Sequence, residues 1–256
     1  MGFVQVERDG GVVTVTLSNP AKKNAVPADA WPDLAAVLRE VAAGNGDRCL
    51  VLTGAGDDFC SGADVTAATE PGVHPLQQMR AVGEAIDALH ALPQPAIARV
   101  AGVCVGIGLN MALCCDLVVA ADDARFSEIF VRRGLSIDGG GSWSLPRVVG
   151  LLKAKELALL GDIVPAGEAE RIGLVSRVVP RAELDRTVAE LARRLAAGPP
   201  LALGMTKRLL DQSAQVTLAQ AVEAEAQAQA INFSSRDTAE AIAAFVERRE
   251  PNFEGH

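Results

Sequence analysis

Two glycine-bearing turns, each just after a hydrophobic stretch, carry the residues most suited to chemistry. They are Phe59-Cys-Ser-Gly-Ala-Asp64 and Gly102-Val-Cys-Val-Gly-Ile-Gly-Leu-Asn-Met-Ala-Leu-Cys-Cys-Asp116. Glycine lets a backbone approach a ligand closely, and the start of a helix points unpaired N–H groups outward. Two such turns can aim two backbone N–H groups at one developing oxyanion. That is the chemistry of thioesters and acyl groups, and it needs neither a metal nor a nucleophilic side chain. Taken alone, Gly106-Ile-Gly-Leu-Asn-Met reads equally well as a structural glycine turn. A dinucleotide fingerprint would place a third glycine where Met111 stands, so that reading is excluded.

A third turn, Gly134-Leu-Ser-Ile-Asp-Gly-Gly-Gly-Ser-Trp143, sets Asp138 beside three glycines. A partly buried aspartate has a raised pKa and suits proton transfer. The competing reading is an N-cap for a helix starting near Gly139. Cys60 and Ser61 lack a plausible base, because the histidines are His74, His90 and the terminal His256. A Ser-His-Asp or Cys-His triad is therefore disfavoured, and Asp64 reads as a cap for the residues after it.

These turns need elements to hold them. Phe3–Arg8 and Val12–Leu17 alternate about Asp9-Gly10-Gly11 and predict a hairpin. Apolar residues at helical spacing predict helices over 27–43 and 75–92. Residues 49–53 read as a short buried strand, 95–105 as strand, 107–114 as helix and 117–120 as strand. Beyond about residue 180 only helices are expected, over 182–196, 200–212, 217–231 and 237–248. The Gly-, Thr- and Pro-containing segment from Val65 to Pro75 reads as a loop that sets pocket size.

The chain has 256 residues, 49% of them hydrophobic, which suits a soluble α/β protein with a substantial core. Its net charge of −8 argues against nucleic-acid binding, which needs a basic footprint. The five cysteines are odd in number, lie mostly in apolar runs and form no CxxC. Buried thiols in a reducing cytoplasm are expected, with no metal site, no disulfide frame and no membrane segment.

Taken in order, Asn19–Ala25, Thr53–Asp64, Ala101–Asp116, Gly134–Gly150, Gly173–Val179 and Ala244–Phe253 resemble the signatures of the crotonase, or enoyl-CoA hydratase/isomerase, superfamily. The resemblance spans essentially the whole chain. It implies an α/β fold, a crotonase-like spiral of ββα repeats over 1–195, followed by a C-terminal helical trimerisation region over 196–256. It also implies homotrimers, often paired as hexamers. The substrate implied is an acyl-CoA thioester, with coenzyme A part of the substrate and no separate cofactor.

By motif position the resemblance assigns the oxyanion-hole N–H groups to Ala63 and Ile107, with Gly106 and Gly108 letting the turn approach the thioester. The two glutamates that activate water in hydratases of the family correspond to Asn110 and Phe130, and neither can transfer a proton. Asn110 remains able to orient a ligand, and Phe130 to make the wall apolar. Asp138 occupies a position used by isomerases of the family, so it is the expected proton shuttle. Glu128 is a second candidate acid or base, on the expectation that strand alternation puts it on the same face as Phe130. Lys22 and Lys23 can meet CoA phosphates. Arg249 and Phe253 fall where the family covers a neighbouring subunit's CoA. Trp143, Leu135 and Ile137 are expected to line the acyl pocket. The function implied first is a double-bond shift through a thioester enolate. The alternatives are a hydratase with non-standard groups, thioester hydrolysis or dehalogenation, and a non-catalytic acyl-CoA-binding paralogue.

Overall fold

Gly10 and Gly11, both at positive φ, close an antiparallel hairpin of β1 (Val4–Asp9) and β2 (Val12–Leu17). The computed structural model describes residues 2–65 and 74–256. Next come α1 (Ala30–Ala43), β3 (Cys49–Gly54), α2 (Pro75–His90), β4 (Ala96–Val100), β5 (Val103–Val105) and α3 (Ile107–Leu113). The middle of the chain adds β6 (Leu117–Ala121), β7 (Arg125–Ser127), α4 (Gly141–Val149), α5 (Leu151–Leu160), β8 (Val164–Pro165), α6 (Ala166–Arg171) and β9 (Arg177–Val179). It ends with α7 (Leu184–Ala196), α8 (Pro200–Gln212), α9 (Leu218–Phe233) and α10 (Arg236–Glu247). The loop expected to set pocket size falls mostly in 66–73, outside the described residues.

One sheet runs in the order β1-β2-β3-β4-β6-β9, and every pairing beyond the first hairpin is parallel. Parallel strands need both faces covered, and β3 shows how this is done. Leu50 and Leu52 face a large core that includes residues of α1, α2 and α3, whereas Cys49 and Val51 face Leu184, Val188 and Ala192 of α7. The strand reads as an unbroken apolar run because it is buried on both sides.

The apolar run 95–105 is two strands rather than one. Gly102 turns the chain at φ 54°, and a Cβ there would fall 2.5 Å from the Asp58 carboxylate. The turn carries the chain from β4 into a second sheet, ordered β5-β7-β8. This passage from one sheet into another gives the fold its spiral character. All five cysteines are free and buried, and burial pushes the Cys60 thiol up to about 12. Among the described residues no helix is long and apolar enough to cross a membrane.

Candidate active site

Asn24 fastens the loop before α1 to the loop after β3. It is fully buried, and its amide donates to the carbonyls of Ala55 (2.9 Å) and Asp58 (2.7 Å). The next contact is an isolated parallel bridge. Val26 N–H donates to Gly62 O, and Asp64 N–H donates to Val26 O, both at 2.9 Å. In such a bridge the intervening residue's own amide points the other way. The Ala63 N–H therefore faces away from Val26, and it has no hydrogen-bond partner among the described residues.

The second amide comes from α3. Gly106 sits at φ 56°, with its N–H on the carbonyl of Ser127 at 2.8 Å. Ile107 is the first residue of the helix, so its N–H has no carbonyl within α3, and it is likewise without a partner. Ala63, Gly106 and Ile107 line one cavity of about 400 Å³ together with Lys22, Phe130 and Asp138.

Asp138 precedes α4, but it does not cap that helix through its side chain. Gly140 is the N-cap, and the Asp138 backbone carbonyl accepts from Gly141 N at 3.0 Å. The carboxylate is left for the cavity. Its Oδ1 is buried without a hydrogen bond among the described residues, and burial raises its pKa to about 6. Asp64, the other carboxylate of the described lining, pairs with Lys22 at 2.6 Å.

Several expectations are corrected. Strand alternation does not relate Glu128 to Phe130, because β7 ends at Ser127 and a 3-10 turn begins at Ile129. Phe130 lines the cavity, whereas Glu128 is buried behind it. Burial pushes its carboxyl up to about 8, opposed by the hydrogen bond from Asn110 and aided, to a smaller extent, by the nearby Asp138 charge. Asn110 does not reach the cavity. Its Nδ2 donates to the Asp138 carbonyl at 2.8 Å and lies 3.5 Å from Glu128 Oε2. Gly108 serves packing, since a Cβ there would lie 2.6 Å from the Cys60 carbonyl.

Trp143 lies edge-on to His90 with centroids 4.9 Å apart, beneath the Arg147 guanidinium, and lines a different cavity beside α8. Leu135 does line the site, while Ile137 packs on the core. Lys23 is exposed and outside the lining. Arg249 pairs with Glu240 and Glu247, and Phe253 lines a groove against α10. Sequence reasoning missed Arg133 and Ile129, which also line the cavity. Their only signal was a place just before Gly134.

A two-sheet spiral that brings the Ala63 and Ile107 amides and the Asp138 carboxylate to a single cavity defines a crotonase-type protein. Residues 7–256 match the profile of the enoyl-CoA hydratase/isomerase family, and the chain belongs to that family. The crystal structure of a Streptomyces coelicolor A3(2) protein, provisionally named an enoyl-CoA hydratase, superposes with a TM-score of 0.94 at 42% identity. It covers 100% of this chain and 95% of that one. The 1,2-epoxyphenylacetyl-CoA isomerase of Escherichia coli K12 is 35% identical over 100% of this chain and 99% of its own. The short-chain-enoyl-CoA hydratase of Clostridium acetobutylicum is 32% identical, over 96% and 95% respectively.

Proposed function

We propose that this chain is an acyl-CoA isomerase that shifts a carbon–carbon double bond through a thioester enolate, with Asp138 as its one proton shuttle. The observation that carries the reading is the pairing of chemistry in one cavity. Two unpaired N–H groups face a space where the only carboxylate not engaged by a lysine, among the described lining, is Asp138.

The thioester oxygen sits between the Ala63 and Ile107 amides. Asp138 takes a proton from C2 of a 3-enoyl thioester. The C–H electron pair moves toward the carbonyl and leaves charge on oxygen, where the fixed donors lower the barrier. The C3–C4 double bond then becomes C2–C3 as C4 takes a proton back from the Asp138 carboxyl, which exchanges with solvent in the interval. No water is consumed and the carboxylate is regenerated. A carboxyl with a pKa near 6 is well matched to both halves of this exchange. Phe130 gives the wall an apolar surface and has no group that can activate water.

Lys22 and Arg133 are the cations of the described lining, suited to the anionic CoA. In this proposal residues 1–195 form the catalytic unit and 196–256 the assembly unit. Leu218, Phe233, Phe245 and Val246 of α9 and α10 are largely exposed, which favours burial against further copies of the chain. Turnover of 3-enoyl-CoA against 2-enoyl-CoA, with Asp138→Asn alongside, tests the reading. A double-bond shift lost in the variant supports it. Water addition that survives the substitution favours a hydratase instead.

A further inference from the structure

We infer that Asn110 is a positioning residue. Its side-chain amide fixes the Asp138 carboxylate relative to the Ile107 N–H, and so governs where the abstracted proton is returned. The inference rests on the proton-shuttle reading above.

Asn110 stands three residues after Ile107, on the same face of α3 and nearly one turn on. It is fully buried and outside the cavity lining. Burying a side-chain amide is costly unless its hydrogens are used. Here Nδ2 spans two acceptors, the Asp138 carbonyl at 2.8 Å and Glu128 Oε2 at 3.5 Å. The reverse orientation of the amide would set Oδ1 against the Asp138 carbonyl, oxygen against oxygen. The contact with Asp138 therefore fixes which way the amide points.

Two glycines press the Asp138 turn onto the same part of the helix. A Cβ at Gly139 would lie 2.7 Å from the Ile107 side chain, and one at Gly141 would lie 2.5 Å from Asn110 Oδ1. One turn of α3 thus carries an oxyanion donor at its first residue and the support for the base at its fourth. Behind it, Glu128 accepts the second N–H and is fully enclosed. The position that carries a water-activating glutamate in hydratases of the family holds a fixed amide here.

The proton must leave C2 and reach C4, so a displaced carboxylate returns it to C2 more often. The experiment measures the ratio of C2 deuterium exchange to double-bond shift in D2O, with kcat and KM, for Asn110→Leu and Gly141→Ala. The leucine keeps the branching of the side chain and has no donor. Gly141 has no positive φ, so its substitution alters mainly the contact with Asn110. Both variants are expected to lower kcat by up to ~100-fold while KM stays within about twofold, and both raise the exchange-to-shift ratio. A purely structural role would not move that ratio. If Asn110→Leu does not fold, Gly141→Ala decides. A wild-type ratio in a folded variant overturns the inference, even if Asp138→Asn is inactive. Exchange and shift that persist in Asp138→Asn would instead overturn the proton-shuttle reading beneath it.

Discussion

Cys60 and Cys104 pair as an isolated parallel bridge, and that bridge ties the two amide-bearing turns together. Cys60 donates to the carbonyl of Val103 at 2.9 Å and accepts from Val105 at 3.0 Å. Ala63 follows Cys60 by three residues, and Ile107 follows Cys104 by three. The spacing of the two N–H groups is thus held by backbone hydrogen bonds between turns more than forty residues apart in the chain.

Gly108 lets α3 lie against that bridge, since a Cβ there would come within 2.6 Å of the Cys60 carbonyl. Gly108→Ala is expected to push the start of α3 away from the Ala63 turn. Overpacking of this kind costs about 1–3 kcal/mol, to be read from denaturant unfolding. Turnover should fall as well, because the proposed oxyanion hole needs both donors at one oxygen. Full activity with unchanged stability would show that the close contact is dispensable.

The base role proposed for Asp138 requires its ionised form, and burial raises its pKa to about 6. The rate therefore rises as pH climbs through about 6 and levels off above it. A pH–rate profile under subsaturating thioester reports this limb for the free enzyme. A limb at the ordinary carboxylate value of about 4 would place the base elsewhere.

Glu128 has a folded-state pKa near 8, against an ordinary value of 4.5. Between these values the folded chain holds a proton that the unfolded chain releases, so stability falls as pH rises. Thermal unfolding should show a falling midpoint from about pH 5 to pH 8 in the wild type. Glu128→Gln, which cannot ionise, should flatten that slope. A slope that is the same in both proteins would mean that Glu128 is charged in the fold.

The exposed apolar residues of α9 and α10 predict self-association. Light scattering should report a mass three or six times the 26.6 kDa of one chain. Phe245→Asp, at a position 84% exposed here, should shift that mass toward the single chain. A monomeric wild type would contradict the proposed assembly role of residues 196–256.

Local signals made much of the fold legible. Glycines at 10 and 11 marked the first hairpin, and Pro200 marked the start of α8, whose bounds match the expected helix. Thr217 caps α9 in a reciprocal arrangement with Gln220. What failed was mostly tertiary. Gly102 divides an apolar run because of its contact with Asp58, which sequence does not display. The change from strand to 3-10 turn after Ser127 altered the period and separated Glu128 from Phe130. Trp143 turned away from the site to meet His90, on α2. The same limit applies to Asn110. Its residue type excluded proton transfer, but its bond to the Asp138 carbonyl, 28 residues away, emerges only from the fold.

Following deuterium into a 3-enoyl-CoA thioester turned over in D2O, by mass spectrometry, for wild type and Asp138→Asn isolates the role of this carboxylate. The wild type is expected to give a 2-enoyl product labelled through the exchanged Asp138 carboxyl, with both label and shift lost in the variant. Hydrated product, or a shift that proceeds undiminished without the Asp138 carboxylate, would contradict it.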